Sequence, residues 1–251
     1  MDIKNLRIST MTQIAEISSK INLNNLYKYL EPTDTIRYLS FGSELSKGEI
    51  TKKIKKPRKD KEKKFFYNQI TIHIFFEKIV NVKIFNNGRI QMTGLKSSEQ
   101  GKEVIKIFLE EVNKLSEEYK KEIYEVSNPK FTWIKTVLIN SDFDLHYKVD
   151  REALHRSIID EGYYSSFEPC IYPGVNIKYY YNKFKENNGI CDCEKMCNGK
   201  GKDNTCKKIT IAVFNSGKII ITGGNSIEHI EIAYNFIYQF IESRKDIIQM
   251  K

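Results

Sequence analysis

The sequence predicts an α+β fold made of two pseudo-symmetric copies of one unit, on three observations. Residues 85–99 (FNNGRIQMTGLKSSE) align without a gap on residues 214–228 (FNSGKIIITGGNSIE), with eight of fifteen positions identical. Around each copy, β-rich runs ending in an Asn/Gly turn give way to an amphipathic helical pattern. A chain of 251 residues with 40% hydrophobic and 12% aromatic content can bury a substantial core.

The first copy opens with a β-rich run followed by a short helix over residues 23–30. Asn86-Asn87-Gly88 then reads as a hairpin turn, because Asn and Gly accept positive φ cheaply. The strand after it alternates, with Arg89, Gln91 and Thr93 on one face and Ile90 and Met92 on the other. Ser97 is placed to cap the long helix that follows, with Gln100 completing a capping box. That helix is expected to align Val104, Phe108, Val112, Leu115 and Tyr119. Asn128-Pro129 breaks the chain between copies, giving domains 1–125 and 126–251. The second copy repeats the order. It has a short helix over 150–159, a turn at Asn215-Ser216-Gly217 and Lys218, Ile220 and Thr222 on one strand face. Its long helix is capped by Ser226, with Ile230, Ala233, Ile237 and Phe240 or Ile241 inward. Helices collected on one face of an antiparallel sheet leave the other face open. Aromatics, threonines and cations on such a face mark a binding surface.

Charge names the kind of partner. Lys plus Arg is 41 against 32 acids, a net of +9. Residues 52–64 (KKIKKPRKDKEKK) hold nine cations and two acids, so 9 − 2 = +7 sits in one run within an insertion over 47–64. That run is either a solvated linker or localisation signal, or an arm for nucleic-acid phosphates that steepens salt dependence. No stretch is apolar enough to span a membrane and no signal peptide is visible, so an intracellular protein is expected. Walker A, GxGxxG, HExxH and nucleophile-elbow patterns are missing, so an enzyme is not expected.

Four of the five cysteines, Cys191, Cys193, Cys197 and Cys206, fall within sixteen residues, in a polar insertion over 182–208. Four thiolates suit tetrahedral zinc, so a structural zinc is expected, against the alternatives of free thiols or disulfides. Cys170 stands outside the cluster. The four histidines are read as structural.

The repeated hairpins, Ile84-Phe85-Asn86-Asn87-Gly88-Arg89 with Thr93-Gly94 and Val213-Phe214-Asn215-Ser216-Gly217-Lys218 with Thr222-Gly223, resemble those of the TATA-box-binding protein family. Residues 164–174 (YSSFEPCIYPG) and 20–26 (KINLNNL) are similar to two further family segments. The likeness covers nearly the whole chain and is nearest to the divergent forms of large DNA viruses and some protists. It implies a saddle: one curved antiparallel sheet with helices on its convex face, and a concave face that opens and bends A·T-rich minor grooves. Kinking by intercalated wedges is a property of that family, carried over here by resemblance.

The wedges implied are Phe85, Phe214, Tyr172 and, in the first copy, Phe66 or Tyr67. Arg89, Lys218 and Lys178 would touch phosphates, and Thr93 and Thr222 base edges. The family's central asparagines fall on Thr10 and Leu138, with Thr12 and Asn140 two positions on. This makes Thr10 and Asn140 candidate base contacts and puts strict TATA preference in question. Glu168, Pro169 and Ile171 lie where the family docks transcription factor IIB, with Cys170 replacing an acid there. The resemblance thus implies double-stranded promoter DNA, a factor-IIB-like protein and RNA polymerase machinery as partners. It also implies action in a nucleus, or in a cytoplasmic viral factory or virion if the protein is virally encoded. The alternative is an adaptor of a transcription complex that keeps the fold without DNA binding.

Overall fold

A computed structural model describes residues 6–42, 45–49, 68–194, 197–202 and 204–250. Phe66, Tyr67 and the basic run 52–64 lie outside the described residues. The chain divides into two compact units. One is Met11–Thr136, and the other is Val137–Lys251 together with the residues up to Thr10. No helix among the described residues is long and apolar enough to cross a membrane.

In the N-terminal unit the elements run β1 (Arg7–Ile17), α1 (Leu23–Tyr29), β2 (Ile36–Phe41), β3 (Leu45–Gly48), β4 (Gln69–Phe76), β5 (Lys78–Phe85), β6 (Arg89–Leu95), α2 (Gln100–Asn113) and α3 (Glu117–Ile123). The strands pair antiparallel in the order β3-β2-β4-β5-β6-β1. Alternation sends Ile70, Ile72 and Ile74, Val80, Val82 and Ile84, and Ile90 and Met92 into the core, each at most 1% exposed. Against them α2 lays Val104, Ile105, Phe108 and Val112. Residues of the opposite parity, Thr71, His73, Asn81, Lys83, Gln91 and Thr93, are only half-buried.

The C-terminal unit has β7 (Phe131–Asp144), α4 (Arg151–Asp160), β8 (Tyr164–Ser166), β9 (Val175–Tyr181), β10 (Lys207–Val213), β11 (Lys218–Gly224), α5 (Ile227–Glu242) and α6 (Lys245–Ile248). Its strands run antiparallel in the order β7-β11-β10-β9-β8. Ile230, Ala233, Ile237, Phe240 and Ile241 are the buried stripe of α5, as the helical spacing requires. The expected α+β class, an antiparallel sheet with helices against it, is the one observed.

The duplication reaches the backbone hydrogen bonds. Ile17 N donates to Gly88 O at 3.1 Å and Leu145 N to Gly217 O at 3.1 Å. Asn22 N donates to Ile123 O at 2.8 Å, and Asp150 N to Ile248 O at 2.8 Å. Gly88 and Gly217 have φ of +82° and +86°, and a Cβ would come within 2.3 Å of Ser19 O or 2.1 Å of Tyr147 O. No side chain fits either turn. Gly94 and Gly223, at φ +103° and +96°, sit at matching register shifts opposite β1 and β7. The repeated Thr-Gly is therefore a repeated bulge.

Two local expectations fail. The first long helix starts at Gln100 and not near Ser97, and its N-cap, Glu99, makes no side-chain cap bond. Gln13, 1% exposed, donates Nε2 to Ser98 O at 3.1 Å and to Thr136 Oγ1 at 3.2 Å, holding Ser98 in the approach to the helix. Gln100 Oε1 instead accepts from Lys96 N at 2.7 Å. The same helix also ends at Asn113, and Ser116 caps α3 by accepting from Tyr119 N. Leu115 and Tyr119 are therefore off its stripe, and the Tyr119 ring stacks on Tyr29, 4.1 Å between centroids.

Candidate nucleic-acid interface

Strand register assembles the outward side chains of each unit into rows. In the N-terminal unit, Tyr38 pairs with His73, His73 with Asn81, Asn81 with Thr93, and Thr93 with Thr12. In the C-terminal unit, Tyr164 pairs with Lys178, Lys178 with Thr210, Thr210 with Thr222, and Thr222 with Asn140. These are the same row twice: an outer tyrosine, a basic residue or imidazole, then short polar side chains. Both lack a carboxylate.

The rows are hydrogen-bonded within themselves. Asn81 Nδ2 lies 3.1 Å from His73 Nε2. Lys178 Nζ donates to Asn176 Oδ1 at 2.7 Å and to Thr210 Oγ1 at 3.0 Å. Burial, with the charge of Lys208 adding to it, lowers the Lys178 pKa from its ordinary value. The ammonium is thus held in place and poorly solvated. The Thr222 hydroxyl donates to Asn140 Oδ1, which leaves the Asn140 amide nitrogen as that group's donor. Thr10 is placed differently. Its hydroxyl is buried and has no hydrogen-bond partner among the described residues.

Cations and acids meet at the turn end of the strands in each unit. Arg89 Nε reaches Glu16 Oε2 at 3.5 Å, and Lys218 stands opposite Asp144 in register. Arg7 Nη2 contacts Asp142 at 2.8 Å, and the Ser9 hydroxyl donates to the same carboxylate. Burial pushes the Asp142 pKa up. The bonds from Ser9 and Arg7, with the charges of Arg7 and Lys218, outweigh that and leave it below the usual value.

Aromatics mark the same ends. Phe214, just past β10, is half-buried and meets Tyr172 edge to face with ring centroids 5.8 Å apart. Gly174 makes room for the pair, since a Cβ there would lie 3.0 Å from the Tyr172 ring and 3.2 Å from Phe214. Phe85 is half-buried opposite Gln69. Beside Tyr172, Glu168 O accepts from Ile171 N and Tyr172 N, both at 2.9 Å, in a tight turn. Glu168, Pro169 and Cys170 are exposed there, and Ile171 is 86% exposed.

The structure brings the four cysteine sulfurs Cys191, Cys193, Cys197 and Cys206 within 4.8 Å of one another, close enough to share one metal ion. It also supplies residues that sequence alone passed over: Tyr38, Asn81, Tyr164, Asn176 and Thr210. Their outward parity was readable, but their neighbours depend on strand order and register.

Comparison with known proteins follows the same pattern. The family model described as "Transcription factor TFIID (or TATA-binding protein, TBP)" matches residues 134–243. A "TATA-box-binding protein-like" protein of Acanthamoeba polyphaga mimivirus is 30% identical over 254 residues, covering 94% of this chain and 65% of the relative. The "TATA-box-binding protein" of Candida albicans is 27% identical over 164 residues, 65% of this chain and 53% of its own. That of Bombyx mori is 24% identical over 162 residues, 64% of this chain and 40% of its own. The chain thus spans about two thirds or less of the length of these relatives. The structure titled "Methanococcus jannaschii TBP" is similar in fold, with a TM-score of 0.57 at 20% identity, covering 95% of this chain and 99% of that one.

Proposed function

We propose, from the premise that this chain is a divergent TBP-like protein and so a transcription factor of that class rather than an enzyme, that it binds A·T-rich promoter DNA through the minor groove and bends it. The observation that carries this reading is the duplicated outward row. Two rows of hydroxyls, amides and basic groups, free of carboxylates, suit a groove floor that offers acceptors at A·T pairs. Thr93, Thr222 and the Asn140 amide would meet those acceptors. Lys178, Arg89 and Lys218 would take phosphates, with Arg89 exchanging Glu16 for an oxyanion. Phe85 and Phe214, the latter packed against Tyr172, would be the wedges, the role the resemblance implies for them. Unstacking costs a few kcal/mol per step and is repaid by the added contact area. The exposed turn with Glu168, Pro169 and Ile171 is the surface we assign to a factor-IIB-like partner of the polymerase machinery.

One observation favours an adaptor that has lost DNA binding: Glu16, Asp142 and Asp144 lie at the sheet ends beside the cations. A fluorescence-anisotropy titration of A·T-rich and G·C duplexes separates the two. The DNA reading expects a preference of about tenfold or more for A·T, roughly 1.4 kcal/mol, and a comparable loss in Phe85→Ala plus Phe214→Ala. Affinity indifferent to both the duplex and the substitutions leaves the adaptor.

A further inference from the structure

The insert between β9 and β10 has almost no apolar reason to hold its shape. Its large apolar side chains among the described residues, Phe184 and Ile190, are 63% and 41% exposed. What ties it down is local and polar. Tyr180 N donates to Gly189 O at 2.9 Å, and Lys208 N to Gly199 O at 2.9 Å. The Tyr179 hydroxyl donates to Asn187 O at 2.8 Å, and Lys185 pairs with Asp192 at 2.8 Å. The three hydrogen bonds fasten the insert to the ends of β9 and β10, and the Lys185–Asp192 pair lies within it. Nearer its centre the described residues add only further short polar bonds, such as Gly201 N to Cys206 O at 3.0 Å and Asn182 Nδ2 to Asn204 O at 3.1 Å.

At that centre the four sulfurs converge. Cys193 Sγ and Cys206 Sγ are 3.4 Å apart, Cys206 is buried, and Cys197 Sγ lies 3.8 Å from the Cys206 carbonyl oxygen. A tetrahedral zinc with Zn–S bonds of about 2.3 Å sets its sulfurs about 3.8 Å from one another, the spacing class seen here. We propose that Cys191, Cys193, Cys197 and Cys206 form a tetrathiolate site that binds one structural Zn²⁺ ion, and that this ion replaces the hydrophobic core the insert lacks. Four protein sulfurs fill the coordination sphere, so the ion has no open position for chemistry. Binding energy at such a site is folding energy for the segment around it.

The site's place in the fold gives the ion a second consequence. Tyr180 shares its face of β9 with Lys178, stands opposite Lys208 in register, and its N–H bonds to Gly189 O, two residues before Cys191. The metal knob therefore borders the open face of the C-terminal unit at the outer end of β9 and β10, and Lys208 stands beside it.

The test uses the full chain, purified under reducing conditions without added metal. Elemental analysis is expected to find about one zinc per chain. Exchange with Co²⁺ is expected to give thiolate-to-cobalt charge-transfer absorption with the d–d intensity of a tetrahedral site. Cys170→Ser, outside the cluster, keeps both signals, and Cys191→Ser plus Cys206→Ser loses both. Far-UV circular dichroism checks that the double variant keeps its sheet. If that variant does not fold, Co²⁺ titration of chelator-treated wild type supplies the same readout. Less than about half an equivalent of metal, a cobalt spectrum without sulfur charge transfer, or cysteine pairs recovered as disulfides would overturn the proposal. These outcomes are independent of DNA binding.

Discussion

Tyr124 carries a hydroxyl that is buried and has no hydrogen-bond partner among the described residues, and burial raises its pKa well above the ordinary value of 10.0. An unpaired buried hydroxyl costs free energy that phenylalanine does not incur. Tyr124→Phe is therefore expected to match or exceed wild-type stability at pH 7, by up to about 1 kcal/mol in urea unfolding. The pH dependence follows from the sign of the shift. Above pH 10 the unfolded chain ionises this phenol while the folded chain keeps it neutral, so wild type loses stability as pH rises. The variant has no such loss at this site, and its advantage should widen between pH 9 and pH 11. A variant less stable than wild type at both ends contradicts the assignment. Such single-residue facts were beyond the sequence, because Tyr124 reads as a helix-end tyrosine until the packing around it is known. Gln13 is similar. It occupies a core-facing strand position, and its amide nitrogen donates to Ser98 and Thr136, far away in sequence, while its Oε1 is buried with no partner among the described residues. By contrast the outward parity of Thr93 and Thr222 was legible from alternation with Ile90, Met92, Ile219 and Ile221.

The two long helices make a controlled pair at the scale of the element. Both follow the same Thr-Gly bulge, and both carry a serine at the expected cap. Only Ser226 acts, accepting from His229 N ahead of α5, whereas α2 begins beyond Ser97. Ser226→Ala should cost about 0.5–2 kcal/mol and Ser97→Ala a few tenths, both read by thermal or urea unfolding. Equal costs would mean that the caps are equivalent after all. The helical period found the buried stripes of both helices. It could not find the end of α2 at Asn113, because no proline or glycine marks that break; Ser116 starts a new helix there on capping alone. The cysteine insert was visible as a polar segment with clustered thiols, but the convergence of its sulfurs needed the bonds that fasten its stems.

The duplication organises the whole chain, and it was legible because a gapless offset of 129 residues preserves the turn, the bulge and the serine ahead of each long helix. Less legible was the polar row each copy presents, since strand order decides which side chains stand together. Those rows lead to a central claim about A·T-rich DNA, that the protein bends what it binds. Energy transfer between dyes at the two ends of a short A·T-rich duplex measures this directly. Saturating protein should raise transfer efficiency as the ends approach, and Phe85→Ala plus Phe214→Ala should abolish the rise at concentrations that still bind. A duplex that binds with its end-to-end distance unchanged, or the same rise on G·C and A·T duplexes alike, would contradict it.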